Sequence, residues 1–134
     1  MKESEAFKQG RIIRRRIGGD AYADAVEAAA AVSAEETPGA VNLAKAFTRF
    51  STEHGWGATW PRPGLDMRSR SLATIALFII LGGDRNELKL HVDAALRNKF
   101  LTQEEIRELF LQVGGYMGYP LVETAIEKVF DAKP

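Results

Sequence analysis

An all-α fold, a single domain of six or seven packed helices, is the expectation for this chain, and three features carry it. Apolar residues recur at three- and four-residue intervals in one segment after another, and no stretch sustains the alternation of a half-buried strand. Capping and stopping residues fall at the ends of these segments. The length, 134 residues, is enough to bury one sizeable core without metal or disulfide staples, and neither an internal repeat nor a low-complexity tract breaks it.

The first helix is expected over Glu5 to Ile17, stopped by Gly18-Gly19, with Phe7, Ile12, Ile13 and Ile17 as a narrow apolar stripe. Its Arg14-Arg15-Arg16 block reads as a solvated or subunit-contact face, because so short a basic run without interleaved aromatics is poor ground for nucleic-acid binding. Asp20 is placed to cap a second, alanine-rich helix to about Ser33 that packs through Tyr22, Ala25, Val26 and Ala29. Thr37-Pro38 suits the start of a third, which runs to His54 with Val41, Leu43, Ala44, Phe47 and Phe50 on one face. Gly55 would close that helix in the left-handed conformation, leaving His54 at a C-terminus whose dipole favours a cation.

Trp56 to Leu65 holds two prolines and two glycines and is read as irregular, either folded over the core or a neighbouring subunit or forming a pocket wall with Arg62 as an anion clamp. Asp66 caps a fourth helix whose first turn carries Arg68 and Arg70 and whose remainder, Leu72 to Leu81, is apolar on nearly every side. Gly82-Gly83 ends it. A fifth helix opens at Asp84, and a sixth at Thr102 through the capping box Thr102-x-x-Glu105, with Ile106, Leu109, Phe110 and Val113 inward. Gly114 to Pro120 is read as a glycine- and aromatic-rich break before a last amphipathic helix.

Composition excludes whole classes of chemistry. The absence of cysteine removes disulfides, thiolate metal sites and thiol nucleophiles. The 18 basic and 18 acidic residues cancel, so the chain as a whole offers no field for nucleic acid or an anionic membrane. The longest apolar run is about half of the ~20 residues a membrane-spanning helix needs, and no secretory leader opens the chain, which together point to a soluble, cytoplasmic protein. Two histidines far apart in sequence fall short of a zinc set, and no serine lies in a nucleophile-elbow context.

The candidate site is the face shared by Glu87 and His91. At four-residue spacing they lie one turn apart, with Leu88, Val92 and Ala95 beside them, so an acid and an imidazole point toward whatever that apolar face covers. Two structural uses stand beside this one. Asp84-x-x-Glu87 is a variant capping box, and His91 can be a buried histidine paired with Glu87.

Taken together, Gly10-x-x-x-Arg14-Arg15, Trp56-Gly57-x-x-Trp60-x-Arg62-Pro63-Gly64-Leu65-Asp66, Arg70-Ser71-Leu72, Glu87-Leu88-Lys89-Leu90-His91, Thr102-x-Glu104-Glu105-Ile106 and Tyr116-x-Gly118-Tyr119-Pro120 occur in the order and spacing of the carboxymuconolactone decarboxylase family, which the chain resembles from about Gly10 to Phe130. The same superfamily contains alkylhydroperoxidase D-like proteins, whose two motif cysteines would fall on Asp84 and Glu87 here; with no thiol to oxidise, the resemblance is to the branch without that pair.

The resemblance implies the alkylhydroperoxidase D-like helical fold and cofactor-independent decarboxylation of 4-carboxymuconolactone to 3-oxoadipate enol-lactone, in the protocatechuate branch of the β-ketoadipate pathway. The electrons left by CO2 would delocalise onto the lactone carbonyl, so the substrate is its own electron sink. By residue type, Arg62 and Arg70 are then candidates to meet the lactone oxygen or a carboxylate, and Trp60, Tyr116 and the Leu72 helix to wall the site. His91 would be the general acid, with Glu87 orienting it and holding it protonated. The partner implied is a small carboxylated lactone, bound by a homo-oligomer, trimeric or hexameric. The alternatives are a non-catalytic or small-molecule-binding member of the superfamily, and a decarboxylase or isomerase of a related lactone or keto acid.

Overall fold

The computed structural model describes residues 2–31, 40–82 and 87–130, which form seven α-helices and one π-helix with no strand among them. The all-α expectation therefore holds. The Thr37-Pro38 start, the Asp84 cap and Gly83 lie outside the described residues. The chain divides into two compact units, Met1–Gly64 and Leu65–Pro134, each with its own packing.

In the first unit, Ser4 accepts a hydrogen bond from the Phe7 N–H at 3.1 Å and opens α1 (Glu5–Gly18), and Gly19 ends it at φ 85°. The buried stripe is Gly10, Ile13, Arg14 and Ile17, so the basic block is not one solvated face. Three consecutive helical residues are spread over about 200° and cannot share an environment. Arg14 is only 3% exposed; Arg15 bridges to Asp20 and Asp24 at 3.1 and 2.7 Å; Arg16 faces solvent. In α2 (Asp20–Ala31), Ala23 is fully buried while Ala25 and Ala29 are exposed, a rotation from the expected face. It turns Glu27 toward Arg11, where both carboxylate oxygens receive guanidinium N–H groups at 3.2 Å.

The third helix, α3 (Ala40–Ser51), does not end at Gly55. It continues without a break into the π-helix Thr52–Thr59, closed by Trp60 N–H donating to Gly55 O at 3.4 Å. Neither Gly55 nor any other residue of this stretch has positive φ, so the expected left-handed cap is absent, and His54 lies inside a helical run, its ring tilted against Phe50 with centroids 4.2 Å apart, instead of at a terminus. The wider turn also places Trp56 over Trp60, 5.7 Å apart and nearly parallel, where an irregular loop was expected. Glycine is needed here for a different reason. A Cβ on Gly10 would sit 1.9 Å from Thr52 O, and one on Gly57 1.8 Å from Ala6 O, so α1 and the π-helix cross backbone to backbone.

In the second unit, Asp66 accepts from Ser69 N–H at 2.7 Å and caps α4 (Met67–Ile80), as expected. Its inward stripe is Ser71, Ile75 and Ile79; Leu77 and Leu81 are exposed, so the helix is buried along one face and not all round. Facing it are α5 (Glu87–Arg97), α6 (Gln103–Met117) and α7 (Tyr119–Phe130). The capping box of α6 is complete, with Glu105 N–H to Thr102 Oγ1 at 3.1 Å and Thr102 N–H to Glu105 Oε2 at 2.9 Å. That helix runs on through Gly114-Gly115 to Met117, so the expected break is confined to Gly118. Ile75, Ile79, Leu88, Val92, Ala95, Ile106, Leu109, Phe110, Val113, Val122 and Ala125 form one apolar core. No helix among the described residues is long and apolar enough to cross a membrane.

The crossing of α1 on the π-helix makes a prediction. Because the obstructing atoms at Gly10 are backbone and cannot rotate away, Gly10→Ala should destabilise the chain by at least about 1–3 kcal/mol in urea denaturation, whereas Gly55→Ala, with open space around it, should not. Equal stability of Gly10→Ala and wild type would contradict the close crossing.

Candidate active site

The helix α5 turns Leu88, His91, Val92, Ala94 and Ala95 into the second unit's core. Of these only His91 carries a titratable group. Its position follows from spacing: with Leu88, Val92 and Ala95 drawn inward against Ile75 and Ile79, His91 flanks them on the same side of the helix and goes inward too. His91 is 5% exposed, and its ring stacks on Phe78 of α4 with centroids 5.4 Å apart and planes 20° apart. Glu87, one turn earlier, is half-buried at the start of the helix.

This surrounding decides the protonation state. Burial removes water from around the imidazolium and pushes the His91 pKa down to about 4; the Glu87 charge acts in the opposite direction and is the smaller effect. The expectation that Glu87 holds His91 protonated is therefore corrected: at neutral pH the imidazole is uncharged. An unfolded imidazole titrates near 6.5, so between pH 6.5 and 4 the unfolded chain binds the extra proton. Stability from this group is fully present above pH 6.5 and is lost as pH falls toward 4, by up to roughly 3 kcal/mol.

The profile of the carboxymuconolactone decarboxylase family matches residues 45–130, which takes in the π-helix and all four helices of the second unit. The chain belongs to this family. It is 30% identical over 133 residues to a 4-carboxymuconolactone decarboxylase of Acinetobacter baylyi, covering 97% of this chain and 90% of that one. It is also 40% identical over 95 residues to a nitrosuccinic acid decarboxylase of Metarhizium robertsii, covering 66% of this chain and 64% of that one. Family and relatives support carboxy-lyase activity.

Among the residues expected to serve a carboxymuconolactone decarboxylase site, Glu87, His91, Arg70 and Tyr116 belong to the second unit, and Trp60 and Arg62 to the first. Arg70 is half-buried in the first turn of α4, and its Nε donates to Leu65 O at 3.3 Å. Tyr116, 83% exposed, stands on the surface of α6 and walls nothing within its own unit. Trp60 is half-buried against Trp56, and Arg62 is exposed in the turn that follows. Sequence reasoning missed Phe78, the ring against His91. Its only signal was that it is the one aromatic in the Leu72 to Leu81 run. Among the described residues no three His, Asp or Glu side chains gather as a metal set.

The pH linkage is directly measurable. Between pH 7 and pH 4 the wild type should lose about 3 kcal/mol more stability in urea than His91→Gln, which has nothing to protonate there. Parallel pH profiles for the two proteins would place the imidazole in water.

Proposed function

We propose that the chain decarboxylates a small, doubly charged acid whose own structure accepts the electrons, with 4-carboxymuconolactone as the substrate and His91 as the group that returns the proton. The observation that carries this reading is the buried, uncharged His91 stacked on Phe78 one turn from Glu87. As the bond to the carboxylate breaks, its electron pair moves through the ring double bond to the lactone carbonyl; CO2 leaves, and the α-carbon of the dienolate takes one proton. Bonds and charge balance without an external electron acceptor.

A resting imidazole with a pKa near 4 holds no proton to donate at neutral pH until something changes its surroundings. An anionic substrate supplies that change, because a carboxylate brought into a dry site stabilises the imidazolium and raises its pKa. The proton then enters with the substrate and stands ready when the dienolate forms. Within the second unit, Arg70 is assigned to a carboxylate or the lactone oxygen and Glu87 to orienting His91.

A second reading is favoured by the 40% identity to the nitrosuccinic acid decarboxylase. A nitro group is also an electron sink: loss of CO2 from the carbon bearing it leaves a nitronate, which the same proton donor returns to the nitroalkane. Both readings need a diacid, an internal sink and one proton.

Association of copies is part of the proposal. Leu43, Phe47 and Phe50 of α3, expected inward, are 73%, 66% and 60% exposed, an apolar stripe on one helix that suits contact with another copy. Light scattering should give a mass of three or six chains, and Phe47→Glu should reduce it; a monomer at micromolar concentration would end the oligomer reading.

The catalytic test offers the purified protein both substrates and follows CO2 release. His91→Gln should lower kcat by about a hundredfold or more. Because free His91 titrates near 4, kcat/KM should fall about tenfold per pH unit above that value, while kcat stays level to a higher pH set by the substrate-bound state. A kcat/KM that is flat from pH 4 to 8, or a His91→Gln variant within threefold of wild type, removes His91 from this role.

A further inference from the structure

The first unit contains a cavity of about 260 Å³ that the decarboxylase reading does not use. Among the described residues four cations line it, Arg11, Arg14, Lys45 and Arg49, against two carboxylates, Glu3 and Glu27. Arg11 is committed to Glu27 through two hydrogen bonds of 3.2 Å and approaches Glu3 at 4.0 Å. Arg49 lies over the Phe7 ring, 5.0 Å from its centre, an arrangement that leaves its charge available. Among its described lining residues positive charge is in surplus.

At its base is Arg14, 3% exposed. One amino nitrogen, Nη1, donates to Thr52 Oγ1 at 2.6 Å, and that hydroxyl in turn donates to Thr48 O at 2.6 Å, so the guanidinium is held in one orientation. Its Nε is buried and has no hydrogen-bond partner among the described residues. A buried N–H of a permanent cation without an acceptor is costly, and proteins leave one mainly where an acceptor arrives from outside. The edge that Thr52 leaves untouched, Nε with Nη2, is one of the two edges of arginine that match a carboxylate with parallel hydrogen bonds.

We infer that the first unit binds a small carboxylate on the Nε–Nη2 edge of Arg14, with Lys45 and Arg49 at the mouth and Phe7 against its carbon skeleton. The volume lies below the roughly 300–1,000 Å³ of pockets for larger ligands, which selects a short organic acid. The two lining carboxylates select against more highly charged anions. All its described lining residues belong to the first unit, and the site is independent of the decarboxylase reading.

The test titrates the full chain with succinate at fixed ionic strength, by calorimetry and by the arginine Nε–H resonances in proton–nitrogen correlation spectra. Saturable binding is expected, with a downfield shift of the single resonance that Arg14→Lys removes. Affinity should fall at least tenfold in Lys45→Ala and in Arg49→Ala, two positions outside the buried stripe of α1, and should persist in Arg70→Ala and His91→Gln. No saturable binding overturns the inference, as does binding lost in Arg70→Ala and kept in Lys45→Ala, which puts the acid in the second unit. Tighter binding of inorganic phosphate than of succinate overturns the assignment to carboxylates.

Discussion

The packing of Ile75 and Ile79 of α4 against Leu88, Val92 and Ala95 of α5 is the constraint from which the second unit's chemistry follows. Two helices that bury branched side chains at this density leave no water between them. His91 lies on the same face as those residues, so it cannot be given to solvent without also turning Leu88 and Val92 outward. Its uncharged state is therefore a consequence of core packing and not of any specific hydrogen bond. A site built this way is pre-set to respond to charge. In water a neighbouring carboxylate moves an imidazole little, whereas in a dry site the same Coulomb interaction is several times larger.

The first unit is organised by a different means. Gly10 and Gly57 let two helix backbones touch, and that contact lowers Thr52 onto Arg14. The π-helix adds to it: a wider turn displaces the side chains after Ser51 from the α-helical register, which stacks Trp56 on Trp60 and leaves Thr52 free to bond back to Thr48 while accepting from Arg14. Each functional feature of this unit traces to a residue that is small, or to one turn that is wide.

That contrast explains which parts were legible in the sequence. Signals that are local and chemical were read correctly: the Asp66 cap, the Thr102–Glu105 capping box, the stop at Gly18-Gly19, and the shared face of Leu88, His91 and Val92. Each depends on residues within one or two turns. What was missed depends on partners far along the chain. Gly55 looked like a helix end because a glycine after a helical run is usually a conformational signal, whereas the glycine that the packing uses is Gly57, which admits Ala6, 51 positions away in sequence. Arg14 looked like its neighbours because residue type does not reveal which of three consecutive arginines will face Ile13 and Ile17. The alanines of α2 gave too weak an apolar contrast to fix which face turns inward. The sign of the His91 shift was misjudged for the same reason, since the Glu87 attraction is visible in a four-residue spacing and the desolvation that outweighs it is visible only in three dimensions.

Within the proposed function, the two substrates suggested by the relatives sharpen what a proton donor at His91 has to do. In both, the charge released by CO2 ends on oxygen, in a lactone enolate or in a nitronate, while the proton has to reach carbon. An acid that stayed strong and charged in the resting site would protonate the departing carboxylate or the oxygen first, and would hold the ground state instead of the transition state. An imidazole that is neutral at rest and becomes charged only beside the bound anion avoids this, because its acidity depends on substrate charge that shifts away as CO2 departs. As negative charge leaves the carboxylate, the stabilisation of the imidazolium weakens, its pKa falls back toward the resting value near 4, and transfer to carbon becomes downhill at that moment. On the proposed reading, the same dry packing that leaves His91 unprotonated in the empty site thus makes its imidazolium, once formed beside the anion, a stronger acid as CO2 departs, and selectivity between the two substrates is left to whichever cation meets the oxygen that takes the charge.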